Sequence, residues 1–143
     1  MFEDHVWITS VSARTSKKKG LCPFCVNQRI WSKNNLSNLF QDIAKEWHST
    51  KNGDLRPTQI GPGTSKSYWW QCPVAFDHVW KAAPKNRTGR GDGCQFCGKT
   101  PKLASSTNNL SIRNPNLAKR WHPTMNGELK PDHVLSSTGK KFW

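Results

Sequence analysis

The chain has 143 residues, with 22 Lys and Arg against 9 Asp and Glu, so its formal net charge is 22 − 9 = +13. Only 34% of the residues are hydrophobic. A chain this short and polar can form one ordinary domain or two very small ones, which excludes the core of a large enzyme. No run approaches the ~20 apolar residues of a membrane-spanning helix, and residues 1–5 lack the start of a secretory signal. We therefore expect an intracellular protein with no membrane partner, and two C-x-x-C pairs that favour metal over disulfides indicate a reducing compartment, the cytoplasm or the nucleus.

The first predicted element is a helix over residues 37–48. Ser37 can cap this helix, and Lys45 and Glu46 are expected to face water. Its apolar residues recur with the helical period and predict one buried face: Leu39, Phe40, Ile43, Ala44 and Trp47.

A hairpin over residues 68–82 is predicted next, because two short strands rich in aromatic and β-branched residues flank a turn at residues 73–77. A loop containing Gly89, Gly91, Gly93 and Gly98 follows and holds a C-x-x-C pair. Each strand also carries Trp residues, which we expect to supply much of the core.

A second helix is predicted to begin at Pro115, with Asn114 as its cap. Asn-Gly pairs predict a turn after each helix, at residues 52–53 and 126–127. His48 and His122 follow the last Trp of the two helices, and we favour an interaction with the helix dipole over a ligand role for both.

The sequence also repeats itself at intervals of 72 to 74 residues. His5-Val6-Trp7 recurs as His78-Val79-Trp80, and Cys22-x-Phe24-Cys25 recurs as Cys94-x-Phe96-Cys97. Asn34-Asn35-Leu36-Ser37 recurs as Asn108-Asn109-Leu110-Ser111, and Ala44-Lys45-x-Trp47-His48 recurs as Ala118-Lys119-x-Trp121-His122. We infer an array of similar units, of which this chain is a fragment or a truncated product.

Four side chains suit a closed tetrahedral zinc site: Cys72, His78, Cys94 and Cys97. The chain has 5 cysteines, an odd number that a disulfide framework does not favour. Small domains with little apolar area are commonly stabilised by a structural metal instead. A redox-active C-x-x-C is the weaker alternative, because no βαβ pattern surrounds it.

A second, partial zinc site is predicted from the repeat, since His5, Cys22 and Cys25 correspond to the last three ligands of the complete site. The counterpart of Cys72 would fall at 72 − 73 = −1, outside the sequence. Loss of that ligand with the upstream half is the favoured explanation for the open position. Glu3, Asp4 or water could fill it, and a catalytic three-ligand zinc is the other possibility.

The motifs Trp69-Trp70-x-Cys72, His78-x-Trp80, Gly93-Cys94-x-x-Cys97 and Leu117-Ala118-x-x-Trp121-His122-Pro123 resemble the zinc-ribbon repeat family that is also described as treble-clef zinc finger domains. Two features depart from that family: five residues separate Cys72 from His78, and Gln95 stands where Pro is usual.

This resemblance implies a small α+β fold of tandem units, each with a short β-hairpin and one helix around a structural zinc. It also implies the metal ligands named above. We place the C-terminal half of a first unit at 1–32, a complete unit at 33–107, and the N-terminal half of a following unit at 108–143.

The positive charge favours nucleic acid, DNA or RNA, as the partner. The candidate contacts are basic residues in and after the hairpin and at the equivalent place in the first repeat: Lys81, Lys85, Arg87, Arg90, Arg14, Lys17, Lys18 and Lys19. A solvated basic surface is the simpler alternative. Because Arg14 and Arg87 recur, each could equally have a structural role, by stacking on Trp7 or Trp80 or by bonding loop carbonyls.

Two other functions remain open. The first is a protein-interaction or architectural repeat, since stacked units often present an extended surface. The second is an accessory domain of a larger nuclease-type protein, because the family includes members joined to nuclease-like domains. We expect no enzymatic activity in the chain itself, because its acidic residues are scattered and form no cluster suited to Mg²⁺.

Overall fold

The computed structural model describes residues 5–15, 22–25, 29–98 and 100–143. Its α-helices and strands are all short, and in chain order they are α1 (Val11–Thr15), α2 (Leu36–Leu39), α3 (Gln41–Lys45), β1 (Tyr68–Gln71), β2 (Val79–Ala82), α4 (Pro84–Gly89), α5 (Leu110–Arg113) and α6 (Pro115–Ala118). Two 3₁₀ turns lie at Pro57–Gln59 and Pro131–His133. The fold is therefore small α+β, as predicted, but short helices replace the expected one helix per hairpin.

The β1–β2 hairpin is confirmed as a two-stranded antiparallel sheet. The N–H of Cys72 donates to the carbonyl of His78 at 3.0 Å, which closes the hairpin beyond the strand ends. Trp70 and Trp80, one on each strand, are 0% and 3% exposed. The hairpin thus brings two large aromatic side chains into the core next to the predicted metal ligands.

The predicted helix over 37–48 is interrupted. Phe40 has φ −140° and ψ 65°, which lies outside the helical region and separates α2 from α3. The cap is Asn35 and not Ser37, since the Asn35 side chain accepts from the N–H of Asn38 at 3.0 Å. The helix begins at Leu36, one residue before the predicted start. The N–H of Leu36 donates to the carbonyl of Ile60 at 2.8 Å, and the Leu36 side chain is fully buried.

Residues 108–143 form several of the local contacts that residues 34–69 form. Asn109 caps α5, and Asn114 caps α6 as predicted, with its side chain accepting from Leu117 at 3.2 Å. The backbone of Trp69 is bonded in both directions by the Asn52 side chain, and that of Trp143 by the Asn126 side chain. Both predicted Asn-Gly turns are present, and both glycines have positive φ, at 62° and 63°.

The chain divides into two compact units. Unit 1 comprises Met1–Trp69 and Lys81–Gly91, and unit 2 comprises Trp70–Trp80 and Asp92–Trp143. Leu36, Ile60 and Tyr68 are buried in unit 1, whereas Trp70, Phe96, Leu110 and Val134 are buried in unit 2. Within the described ranges, no helix has the length and apolar character of a membrane span.

Candidate metal centre

The four predicted zinc ligands of unit 2 form one cluster. The ligand atoms of Cys72, His78, Cys94 and Cys97 all lie within 4.8 Å of one another. The Sγ atoms of Cys72 and Cys97 are 3.8 Å apart, and the Nδ1 atom of His78 lies 3.3 Å from Cys97 Sγ and 3.8 Å from Cys94 Sγ. The hairpin supplies the first two ligands, and the loop after α4 supplies the last two.

These separations fit a tetrahedral zinc ion. With Zn–S bonds of about 2.3 Å and a Zn–N bond of about 2.0 to 2.1 Å, tetrahedral geometry requires ligand separations of roughly 3.8 Å for S···S and 3.6 Å for S···N. All five cysteines of the chain are free thiols. Residues 72, 78, 94 and 97 therefore form a compact Cys3His zinc-binding site, in agreement with the sequence prediction.

Backbone geometry prepares the C-x-x-C pair for metal binding. The Cys94 sulfur accepts from the N–H of Phe96 at 3.4 Å, which stabilises a thiolate there. Gly98 follows the pair with φ 95°, a backbone conformation that residues with a side chain resist. Phe96 stacks on the His78 ring, with centroids 4.9 Å apart and an interplanar angle of 12°.

The second nitrogen of His78 is held by hydroxyl groups that the sequence analysis missed. The ring is fully buried, and its Nε2 atom lies 3.0 Å from Ser105 Oγ and 3.0 Å from Thr107 Oγ1. The neighbouring Asp77 carboxylate accepts from the N–H of Ser106 at 2.7 Å, which lowers its pKa. The loop of residues 105–107 therefore orients the histidine from outside the ligand set.

Two thiols of this site, those of Cys94 and Cys97, have raised pKa values when no metal is present. Burial, followed by the neighbouring thiols of Cys94 and Cys72, raises the pKa of Cys97 to about 12. Burial also raises the pKa of Cys94. Zinc must therefore displace protons from these sulfurs, and its positive charge offsets the repulsion among three adjacent thiolates.

A partial site with similar geometry lies in unit 1. The Nδ1 atom of His5 is 3.5 Å from Cys22 Sγ and 3.6 Å from Cys25 Sγ, close to the separation of roughly 3.6 Å that a shared zinc requires. His5 is buried and stacks on Phe24 with centroids 4.9 Å apart, as His78 does on Phe96. The alternative ligands Glu3 and Asp4 lie outside the described residues.

The two cysteines of the partial site differ in acidity. Burial opposes ionisation of Cys22, but hydrogen bonds from the N–H groups of Cys25 and Phe24 lower its pKa overall. The Cys22 side chain raises the pKa of Cys25, which is exposed. Of the two sulfurs, Cys22 is therefore the more readily ionised.

Each C-x-x-C loop is bonded to the following segment by an asparagine. The Asn108 amide donates to the carbonyls of Phe96 and Leu103 at 2.7 and 2.9 Å, and its oxygen accepts from Ser105 N–H at 2.8 Å. Asn34 makes the corresponding three bonds at the partial site, to Phe24, Arg29 and Trp31. The repeat of Asn34 and Asn108 was visible in the sequence, although their role was not.

The predicted nucleic-acid contacts fall into different environments. Lys85 is exposed, Arg90 is exposed and donates to Asn86 at 2.9 Å, and the Lys81 ammonium lies 4.8 Å from the centroid of the Trp69 ring. Arg14 is exposed, with its guanidinium carbon 5.1 Å from the Trp7 centroid, which is one of the stacking arrangements considered above. Lys17, Lys18 and Lys19 lie outside the described residues.

Arg87 differs from the other basic candidates. It is 5% exposed, and its Nη2 atom donates to Glu46 Oε2 at 2.7 Å. A buried guanidinium that is bonded to a carboxylate is not accessible to a phosphate. We therefore assign Arg87 a structural role and no longer count it among the candidate nucleic-acid contacts. The expectation that Glu46 faces water is wrong for the same reason: its side chain is 26% exposed and bonds Arg87.

The roles expected for His48 and His122 are also corrected. Helix α3 ends at Lys45 and α6 ends at Ala118, so both histidines lie beyond the helix ends. The Nδ1 atom of His48 accepts from the N–H groups of Thr50 and Lys51, each at 3.3 Å. His122 makes the same two bonds, to Thr124 and Met125. Each histidine therefore stabilises the turn before an Asn-Gly pair.

The fold and the site define a zinc-binding module in which a hairpin and a C-x-x-C loop surround the metal. Residues 43–100, which contain all four ligands of the complete site, match the family model described as "Probable Treble clef zinc finger domain". This segment is thus similar in sequence to a probable treble-clef zinc finger domain, and the Cys3His cluster within it is consistent with that match. A search of curated proteins finds no match to the chain.

Proposed function

We propose that this chain is a zinc-stabilised module of tandem units that binds the phosphate backbone of nucleic acid through a basic surface. The observation that carries the proposal is a pair of lysines at one tryptophan. The Nζ atoms of Lys51 and Lys81 lie 5.1 and 4.8 Å from the centroid of the Trp69 ring. This group is called the Trp69 lysine pair below.

The tryptophan of the Trp69 lysine pair is held by hydrogen bonds, whereas both lysines are exposed. The Trp69 backbone is held by Asn52, which accepts from its N–H and donates to its carbonyl, each at 2.9 Å. Attraction between each ammonium and the aromatic ring reduces the freedom of the lysines. Two positioned cations at one place favour a polyanion over a neutral partner, and the net charge of +13 supports the same partner class.

The tandem arrangement is supported by equivalent contacts at equivalent positions. The Trp47 indole donates to the carbonyl of Leu55 at 3.0 Å, and Trp121 donates to Leu129 at 3.0 Å. Asn52 and Asn126 occupy equivalent positions and make equivalent bonds, and so do His48 and His122. We propose the unit boundaries 1–32, 33–107 and 108–143 on this basis.

The proposed role is binding and not catalysis. Both groups of three or more metal-ligating side chains in the described part of the chain consist of cysteine and histidine. The complete group has four protein ligands, which is typical of structural zinc because no position is left for a substrate.

The test is a titration of labelled DNA and RNA oligomers with the zinc-loaded chain, followed by fluorescence anisotropy at two salt concentrations. We expect binding to weaken steeply as salt rises. Lys51→Ala with Lys81→Ala should reduce the slope of log affinity against log salt by roughly 1.4 to 1.8, since each phosphate contact contributes about 0.7 to 0.9.

A matched control removes two other exposed lysines, Lys45 and Lys119, which occupy equivalent positions in the repeat. Both double variants lose the same net charge, so the general field falls equally in each. If the two variants bind equally well, the Trp69 lysine pair is not the contact site. Binding that is insensitive to salt contradicts nucleic-acid recognition altogether.

A further inference from the structure

The turn of the β1–β2 hairpin, residues 73–77, presents an aromatic side chain to solvent and is called the Phe76 tip below. Phe76 is 86% exposed, the largest exposed fraction of any aromatic side chain among the described residues, and Val74 is 65% exposed. By contrast, Trp70 and Trp80 of the same hairpin are buried. Single exposed apolar side chains are common on protein surfaces, so the argument depends on how this ring is held.

The backbone of the Phe76 tip is fixed by side chains on both sides of the turn. The Nε2 atom of Gln71 lies 3.0 Å from the carbonyl oxygen of Ala75 and 3.3 Å from that of Phe76. The Asp77 carboxylate accepts from the N–H of Ser106 at 2.7 Å and from its hydroxyl at 3.0 Å. The residues that flank the turn are both ligands of the complete zinc site. The hairpin therefore presents Phe76 on a preorganised turn.

The Phe76 tip offers much less apolar area than a stable protein interface requires. Its large apolar side chains are Phe76 and Val74. An aromatic side chain buries about 150 to 250 Å², whereas a standard protein interface buries about 800 Å² on each partner. One ring is nevertheless enough to stack on one base, because phosphate contacts elsewhere supply much of the affinity for nucleic acid.

The charge of unit 2 favours the same class of partner. The sequence of this unit contains 8 Lys and Arg against 4 Asp and Glu, so its formal net charge is 8 − 4 = +4. A cationic unit attracts a polyanion to its surface. Nucleic acid is the polyanion that also offers flat aromatic faces to a phenyl ring.

We propose that the Phe76 tip binds single-stranded nucleic acid by stacking the Phe76 ring on an unpaired base. In a duplex, each base is stacked on its neighbours and its face is not accessible, whereas the bases of a single strand can stack on aromatic side chains. This inference goes beyond the Trp69 lysine pair, which contacts phosphates, and it rests on the proposed nucleic-acid function.

The test compares a labelled single-stranded DNA oligomer with its duplex, each titrated with the zinc-loaded chain at two salt concentrations. We expect Phe76→Ala to weaken binding of the single strand at least about fivefold, because one stacked base is lost. Affinity for the duplex should not change. The slope of log affinity against log salt should also stay constant, since the substitution removes no charge.

Matched variants at the same turn separate stacking from other effects. Phe76→Tyr keeps an aromatic face and should bind the single strand as the wild type does, whereas Phe76→Leu keeps an apolar side chain and should bind as weakly as Phe76→Ala. Val74→Ala removes the other exposed apolar side chain and should have no effect. Zinc content and circular dichroism confirm that each variant is folded.

Photocrosslinking to an oligomer that contains 5-iodouracil gives a second readout. We expect the crosslinked peptide to contain Phe76 and to disappear in Phe76→Ala. The proposal is overturned if Phe76→Ala binds the single strand as the wild type does, if it weakens the duplex equally, or if Phe76→Leu retains full affinity.

Failure of this inference is distinguishable from failure of the proposed function. If the wild-type chain binds and its affinity falls with salt while Phe76→Ala changes nothing, only the stacking role is wrong, and a protein contact is then the remaining use of the Phe76 tip. If the wild-type chain shows no salt-dependent binding to either oligomer, the proposed function itself is wrong.

Discussion

The Nε2 atom of His78 lies 3.0 Å from the hydroxyl oxygen of Ser105, while Nδ1 of the same ring faces the cysteine sulfurs. Thr107 Oγ1 lies at the same distance of 3.0 Å from Nε2. With zinc on Nδ1, the neutral ring carries its proton on Nε2 and donates it to these hydroxyls. They fix both the tautomer and the orientation of the ligand.

Removal of both hydroxyl groups should therefore weaken zinc binding. We expect Ser105→Ala with Thr107→Val to lower the zinc affinity roughly ten- to hundredfold, and each single change to cost less because one acceptor remains. Competition with a chromophoric chelator measures the effect. Ser137→Ala, at an exposed position, serves as the control. An unchanged affinity in the double variant would show that the loop does not orient His78.

The two metal sites should release zinc in a fixed order. Among the described residues, the site in unit 1 offers three protein ligands and the site in unit 2 offers four, so a chelator should remove zinc from His5, Cys22 and Cys25 first. Cys22→Ser should abolish the early release step, and Cys97→Ser should remove the late one. Mass spectrometry under native conditions counts the ions at each step, and a single step in the wild-type chain would contradict this order.

Zinc affinity should rise with pH. Since Cys97 has a pKa of about 12 without metal and the pKa of Cys94 is also raised, both thiols are protonated near neutral pH and zinc must displace their protons. We expect the affinity of the complete site to increase by at least about tenfold per pH unit. Chelator competition at three pH values checks this, with a correction for proton binding by the chelator.

The metal-free chain should show the opposite dependence on pH. The Cys97 thiol ionises near 9.0 in the unfolded chain and near 12 in the folded one, so the folded state is favoured while the thiol is protonated. Its contribution to stability is present below about pH 9 and is lost as the pH rises toward 12. Urea unfolding of the metal-free chain at rising pH measures this loss, and a constant midpoint would contradict it.

The metal ligands, the hairpin and the Asn-Gly turns could be predicted from the sequence because each depends on local chemistry. Thiols and imidazoles at zinc-finger spacing have few other uses in a small domain. Aromatic and β-branched runs favour strands, and glycine tolerates the positive φ found at Gly53 and Gly127. The sequence repeat then allowed the metal ligands and the Asn-Gly turn of one segment to be predicted in the other.

The remaining features depend on contacts between distant residues. The start of α2 involves the bond from the Leu36 N–H to the distant Ile60 carbonyl, and the break at Phe40 falls within a run of helical apolar period that gives no sign of it. Helix α4 has no apolar period of its own, and it is held by the bond from Thr88 to Pro62 and by the ion pair with Glu46. Ser105 and Thr107 gave no signal either, because Trp31 and Lys33 occupy the equivalent positions in the first repeat.

The Glu46–Arg87 pair should contribute strongly to the stability of unit 1. Glu46→Ala leaves a guanidinium whose side chain is 4% exposed without its carboxylate, and we expect a loss of about 3 kcal/mol in the free energy of unfolding. Asp42→Ala breaks the exposed pair with Lys45 and should cost less than about 0.5 kcal/mol. Chemical denaturation of the zinc-loaded chains compares the two. Equal losses would contradict a structural role for Arg87.

An asparagine follows each C-x-x-C loop, and the one at the complete site, Asn108, should contribute more to the free energy of unfolding than Asn34 at the partial site. Asn108 is 6% exposed and makes three hydrogen bonds of 2.7 to 2.9 Å, so Asn108→Ala leaves two carbonyls and one N–H group without that partner. We expect a loss of about 3 kcal/mol, at about 1 kcal/mol for each bond.

Asn34→Ala should cost less, because Asn34 is only half-buried and its bond to the Phe24 carbonyl is 3.5 Å long. Denaturation of both variants with zinc bound provides the comparison. Asn108→Asp tests the same arrangement, since it keeps the acceptor for Ser105 N–H and removes the two donors. A smaller loss for Asn108→Ala than for Asn34→Ala would mean that the C-x-x-C loop is held by zinc alone.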